Sequence, residues 1–259
     1  MKLKLLDKKK DRTTFEVTKK PQVGYINTLR RVFTHEVPIM AVSKVEFKQN
    51  TSALYDEIIA HRLGMLALKT DLKSYNIPKK GDEESAATHL KMTLKATGPK
   101  TVYASDIKSK DSKIVPVHPE TPVVKLLEGQ EIELTATAHL GYGKEHAKWN
   151  AGLAHYYFKP KITVNNKSAK LRDFIEKYPS QVRKKDSIDP EKILSAPELI
   201  DACADINDEI VKIEYSEEPE EIIFRIESWG QLTPDQIIEA GIDEYNSQLD
   251  EFKKLLKDI

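Results

Sequence analysis

Thiols are almost absent from these 259 residues, Cys203 being the one cysteine. A single thiol excludes an internal disulfide and any zinc or iron–sulfur site built from several thiolates of this chain. Long apolar runs are missing too. No stretch approaches the roughly 20 residues of a membrane span, and the start, MKLKLLDKKK, is too polar for a signal peptide, so a soluble, cytoplasmic protein without a membrane role is expected. Nor is there an excess of charge of one sign. The 41 basic and 41 acidic residues cancel, which argues against autonomous DNA binding. Catalytic signatures are lacking as well: there is no Gly-rich phosphate loop, no GxSxG elbow and no HExxH, and Cys203 lies in a polar stretch without a neighbouring histidine.

What is present is a heavily charged chain, 32% Asp, Glu, Lys and Arg against 39% hydrophobic, large enough for a real core but short of apolar material for self-sufficiency. Some apolar surface is therefore expected to be completed by a partner. The charge is unevenly placed: residues 1–31 carry ten basic against three acidic side chains, and residues 198–259 carry eighteen acidic against five basic. Either the two ends attract each other, or each faces an oppositely charged partner, or they are two differently solvated surfaces.

Hydrophobic periodicity gives the element types. Leu3 and Leu5, then Phe15 and Val17, alternate around a charged KKKDR turn, as in a hairpin. Over 22–36 the period changes to that of a helix, with Tyr25, Ile26, Leu29, Val32 and Phe33 on one face and Asn27, Arg30, Arg31 and Thr34 on the other; Pro38 ends it. A strand, IMAVSKVEF, and a short helix over 53–63 follow. HLKMTLKAT, PVVKLL, EIELTATAHL and HYYFKPKITV then read as strands, and 166–212 as a polar, mostly helical segment. Two further strands, EIVKIEYS and EIIFRIESW, precede the last helix, whose start is specified by Thr233 as N-cap, Pro234 at the first position and Gln236 completing a capping box. Along it Ile238, Ile242, Tyr245, Leu249, Phe252, Leu256 and Ile259 recur at spacings of 4 and 3 residues, a heptad seam. So narrow a stripe favours pairing with another helix over packing on the chain's own sheet.

Two clusters are candidates for chemistry. Glu57 and His61, four apart on one helix face beside Asp56, have the spacing of a metal-ligating pair, although such a pair is more often an interface hydrogen bond. The stretch GKEHAKW at 143–149 reads as a protein-contact loop or as a solvated loop with one anchored Trp, since two lysines would repel a cation.

Four blocks carry a resemblance. NTLRRVFTHEVPIMAV at 27–42, NTSALYDEIIAHRLGMLAL at 50–68, GYGKEHAKWNAGLAHY at 141–156 and FRIESWGQLTPDQII at 224–238 resemble, in the same order, blocks of the D-type subunits of archaeal RNA polymerases. That family is related to the bacterial alpha subunit's amino-terminal domain and to the third-largest eukaryotic polymerase subunits. The resemblance implies an α+β fold in which 1–47 and 213–259 form a dimerisation domain interrupted by an inserted β-rich domain, 48–165. It implies a non-catalytic assembly platform that heterodimerises with subunit L through the first and last helices, using Tyr25, Leu29 and Phe33 together with the heptad positions. The large catalytic subunits would then meet Asn27, Arg30 and Arg31, where Arg suits bidentate contacts, as well as Asp56, Glu57, His61, Arg62, Lys144, His146, Lys148 and Trp149. Small subunits N and P would join the assembly.

One departure from the family stands out. Many members carry a cysteine-rich ferredoxin-like insertion in the region matching 166–210, whereas this chain has only Cys203 there, so 166–212 is expected to be a degenerate remnant or a linker held by ordinary packing, with no cofactor. Two other classes stand beside this reading: an unrelated coiled-coil-forming interaction module, and a metal-dependent hydrolase built on Glu57 and His61. Purified protein is expected to carry neither stoichiometric iron nor acid-labile sulfide; finding both would overturn the expectation.

Overall fold

The computed structural model describes residues 1–78, 84–194, 197–216 and 221–257. A hairpin of β1 (Lys2–Lys8) and β2 (Arg12–Thr18) opens the chain, closed by Lys9 N donating to Arg12 O at 2.7 Å. Then come α1 (Val23–His35), β3 (Ile39–Asn50), α2 (Asp56–Gly64), β4 (His89–Thr97), β5 (Lys100–Tyr103), β6 (Lys108–Ser109), β7 (Pro122–Leu126) and β8 (Glu131–Gly141). They are followed by β9 (Gly152–Phe158), β10 (Lys161–Val164), α3 (Leu171–Phe174), β11 (Arg183–Lys184), β12 (Ser187–Ile188), α4 (Pro190–Ile193), α5 (Pro197–Cys203) and β13 (Val211–Glu214). Last are β14 (Ile222–Ser228) and α6 (Pro234–Leu255). The fold is mixed α+β, with one four-stranded sheet in the order β1-β2-β14-β9 and another in the order β3-β8-β4-β6.

Three elements depart from the sequence reading. HYYFKPKITV is two strands in different sheets, because Pro160 has no N–H to donate to a ladder. The second helix starts at Asp56, since Asn50 and Ser52 hold the preceding turn: Asn50 Nδ2 donates to Leu54 O at 2.9 Å and Ser52 N to Asn50 Oδ1 at 3.0 Å. Among its described residues the 166–212 segment has the short helices α3 to α5 and a 3-10 turn at Ile175–Lys177, with β11 pairing β12 between α3 and α4.

Packing divides the chain into two compact units: Met1–Leu6, Phe15–Val23 and Tyr156–Phe224 in one, and Asp7–Thr14, Gly24–His155 and Arg225–Ile259 in the other. In the first unit, β10 pairs antiparallel with β13, and Leu171, Tyr178, Val182, Ile188, Ile193, Ile200, Ile210 and Val211 form a core around Cys203. Ordinary apolar packing thus holds this segment. Burial pushes the Cys203 thiol up, and one thiol cannot supply the ligand set of an iron–sulfur cluster, so the residues do not fit that group.

The second unit is built on the sheet β3-β8-β4-β6, antiparallel throughout. In β4 the expected alternation is realised: Leu90, Met92, Leu94 and Ala96 point inward, while Lys91, Thr93 and Lys95 are exposed. That inner face packs with Ile59 and Leu63 of α2 and with Val102, Val123, Val124 and Leu126 of the β5–β7 ladder.

Helix α6 begins as its sequence specifies, with Gln236 N donating to Thr233 Oγ1 at 3.3 Å and Thr233 N to Gln236 Oε1 at 2.9 Å. Its buried residues are Pro234, Ile237 and Gly241, a short stripe distinct from the heptad seam. A Cβ at Gly241 would lie 2.5 Å from Phe33 Cδ1, so α6 meets α1 at a distance only glycine permits. Phe33, expected on a partner-facing surface, is instead buried within the chain, because this close approach closes over its ring. Ile238 and Tyr245 are half-buried, whereas Ile242, Leu249, Phe252 and Leu256 are exposed; Ile259 lies outside the described residues.

On a free helix surface Gly→Ala stabilises by about 1 kcal/mol. Here the clash reverses the sign, and Gly241→Ala is expected to lower stability by roughly 1–3 kcal/mol in urea unfolding, as overpacking does. An unchanged or raised midpoint would show that α1 and α6 are not locked at this point.

Candidate functional site: two exposed faces of the second unit

Two sets of side chains in the second unit remain open to solvent in ways its core does not require. The first lies on α1 and α6. Tyr25 is exposed and Leu29 half-buried on α1, while on α6 Ile242 is 43%, Leu249 39%, Phe252 58% and Leu256 55% exposed. Leu255, 58% exposed and off the heptad spacing, widens the stripe beyond the expected seam. The polar edge of the helix is tied down: Gln248 Nε2 donates to Glu36 Oε2 at 3.2 Å, and Tyr142 Oη donates to Glu244 Oε1 at 3.4 Å. That carboxylate of Glu36 also receives Lys144 Nζ at 2.7 Å. The middle of α6 is thereby tied to α1 and the 141–150 loop, and Leu249, Phe252 and Leu256 lie beyond these ties along the helix.

The second face is made by α2 and the 141–150 loop. Asp56 accepts from Asn50 Nδ2 at 2.7 Å, and Arg62 donates to Val123 O at 2.6 Å, so both ends of the α2 charge row are positioned from within the chain. Glu57 and His61 are exposed between them. His61, His146 and Lys148 line one small depression of about 230 Å³, together with Val42, Gly64 and Met65. Two blocks more than eighty residues apart in sequence are thus one surface. Among the described residues no group of three or more His, Cys, Asp or Glu is arranged to hold a metal ion, so Glu57 and His61 stand without further ligands.

Trp149 does not present itself on that surface. It is buried because Gly141 leaves room for its ring, whose Nε1 donates to His139 O at 3.3 Å; a Cβ at Gly141 would stand 2.5 Å from Trp149 Cε2. The ring supports Lys148, whose Nζ stands 4.3 Å from its centroid and whose pKa is lowered by burial. Beneath it His139 stacks at 5.1 Å, and desolvation pushes its imidazole pKa down. Trp149 is therefore the anchor of the loop, and the residues it displays are His146 and Lys148. His146 caps the following turn, its Nδ1 accepting from Lys148 N at 3.1 Å.

Asn27, Arg30 and Arg31 occupy α1. Arg30 Nε donates to Asn27 Oδ1 at 2.9 Å, and Arg31 is exposed. The carboxyl end of α1 abuts the loop, since a Cβ at Gly143 would come within 2.8 Å of Thr34 O. Apolar residues of the second face escaped the sequence reading: Tyr55 is 79%, Ile58 48% and Met65 50% exposed. The signal was there, because Ile58 lies off the inward stripe made by Ile59 and Leu63.

An oriented charge row, an anchored loop and an exposed apolar helix seam thus stand on the second unit, and comparison with known sequences places the chain. Residues 45–156 match the family model described as the RNA polymerase Rpb3/RpoA insert domain. The chain is similar to DNA-directed RNA polymerase subunit Rpo3 of Methanosphaera stadtmanae, at 31% identity over 96% of both chains. It is likewise similar to subunit Rpo3 of Pyrococcus horikoshii, at 34% identity over 97% of this chain and 96% of that one, and of Thermococcus kodakarensis, at 34% over 96% and 95%. The chain belongs to this Rpo3 family of archaeal RNA polymerase subunits.

Trp149→Ala is expected to cost about 3–5 kcal/mol in chemical denaturation, the range for removing a buried aromatic, whereas the exposed His61→Ala should stay within about 0.5 kcal/mol. Equal small effects would show that Trp149 anchors nothing.

Proposed function

We propose that the chain is a non-catalytic assembly platform of DNA-dependent RNA polymerase, acting in the cytoplasm. It heterodimerises with subunit L through α1 and α6, and the large catalytic subunits dock on Asn27, Arg30 and Arg31 and on the α2 and loop face, with N and P completing the assembly. In this reading residues 1–47 and 213–259 form the dimerising part around the inserted 48–165. The observation that carries it is the exposed seam of α6. Ile242, Leu249, Phe252 and Leu256 are open to water although the helix already has a buried stripe of its own. Burying such side chains contributes up to about 1.5–3 kcal/mol each before association costs are subtracted. Four of them suffice for a stable helix–helix contact. An unrelated coiled-coil module would share the seam but not the near full-length match to Rpo3 subunits.

Replacing Leu249 and Phe252 together with Asp is expected to abolish co-elution with subunit L, since two charges would enter a desolvated contact at a cost of several kcal/mol. Arg30→Ala with Arg31→Ala should preserve that heterodimer and weaken recruitment of the large subunits in a co-expression pull-down. Undiminished co-elution of the Asp variant would remove the seam from the interface, and loss of the heterodimer in the Arg variant would reassign those arginines.

A further inference from the structure

A third surface of the second unit extends beyond both faces. A groove of about 1620 Å³ runs beside the turn between β14 and α6. It is larger than the roughly 300–1,000 Å³ of small-molecule sites and fits a polypeptide segment instead. At its rim stands Trp229, 47% exposed, on a turn stapled from several directions. Trp229 N donates to Ala151 O at 3.3 Å, Ser228 N to Asp11 O at 2.8 Å, Gly230 N to Ser228 Oγ at 2.8 Å, and Thr70 N to Gln231 O at 3.0 Å. Gly230 has φ of +96°, and a Cβ there would fall 2.5 Å from Val117 Cγ1, so the turn accepts only glycine. An exposed indole carried on a backbone turn held this firmly has the character of an interface anchor.

The walls of the groove differ in charge. Glu239 and Asp243, four apart on α6, make one wall acidic, whereas Lys69, Lys73 and Lys148 make another basic; exposed Met65 adds apolar surface. Asp71 does not offset those lysines, being engaged by Lys113 Nζ at 2.8 Å.

We propose that this groove seats a helical segment of another polymerase subunit. The helix sets an aliphatic side chain against Trp229 and Met65, Lys or Arg residues against Glu239 and Asp243, and acidic residues against Lys69, Lys73 and Lys148. The proposal rests on the assembly role above and adds a contact that lies apart from the α6 seam and borders the His61 face, with which it shares Met65 and Lys148.

Because Cys203 is buried, Trp229→Cys gives the full chain one accessible thiol. Its maleimide-labelling rate is measured in the chain alone and in polymerase reconstituted from purified subunits, with a Lys185→Cys chain as control. Assembly should slow labelling at 229 by roughly tenfold or more, as at the water-excluded centre of an interface, and leave 185 unchanged. Oxidative footprinting of Trp229 in the unmodified chain should show the same protection. A thiol-specific cross-link from position 229 should reach a helix of another subunit that carries basic and acidic flanks, and Glu239→Lys with Asp243→Lys should restore labelling. Assembled polymerase in which position 229 labels at the free rate overturns the groove contact alone. A cross-link only to a second copy of this chain also overturns it, and failure to assemble at all removes the platform reading and this contact together.

Discussion

The contact between Gly241 and Phe33 is the constraint on which the exposed surfaces depend. The apolar side chains of α6 that pack inward lie in its first half, and those of its second half stay in water. Removing the side chain at 241 lets α6 settle with Pro234 and Ile237 inward, and the longer seam from Ile242 to Leu256 is left outward. Phe33 fills the space that glycine leaves, so one aromatic on α1 and one missing Cβ on α6 together set the helix rotation. A small intramolecular contact thereby helps set which apolar residues of α6 remain in water.

The same economy recurs around the 141–150 loop. Gly141 and Gly143 each lie against a neighbour that leaves no room for a Cβ, one against Trp149 and the other against Thr34 and Asn150. The loop is shaped from below, and His146 and Lys148 are displayed above it beside His61. Burial at the base and exposure at the tip are two consequences of one packing arrangement, and polar groups on a rigid support lose less entropy when a partner binds.

Elements with a strong period were legible in the sequence. β4 follows its alternation, and the start of α6 its Thr233–Gln236 capping box; of the α1 stripe, Ile26, Val32 and Phe33 are buried, but so is Thr34 from the other side. What depended on three-dimensional approach was not. Phe33 shares a stripe with Tyr25 and Leu29, and only the position of Gly241 separates the buried ring from the exposed one. Trp149 has the sequence surroundings of a surface aromatic in a polar loop, because the space that receives it belongs to Gly141, eight residues away. The α2 charge row was legible from spacing, but its apolar companions Tyr55, Ile58 and Met65 were not, since a polar-face reading overlooks hydrophobic residues outside the inward stripe. The break at Pro160 could have been foreseen from the missing N–H alone.

Glu36 joins surfaces that would otherwise be independent. Its carboxylate receives Lys144 from the loop and Gln248 from the middle of α6. A partner that shifts α6 by even a fraction of a turn changes the hold on Lys144, and a partner that draws Lys144 away releases Gln248. Such coupling is reciprocal by thermodynamic necessity. In the proposed assembly, occupation of the helix face and of the loop face would bear on one and the same carboxylate.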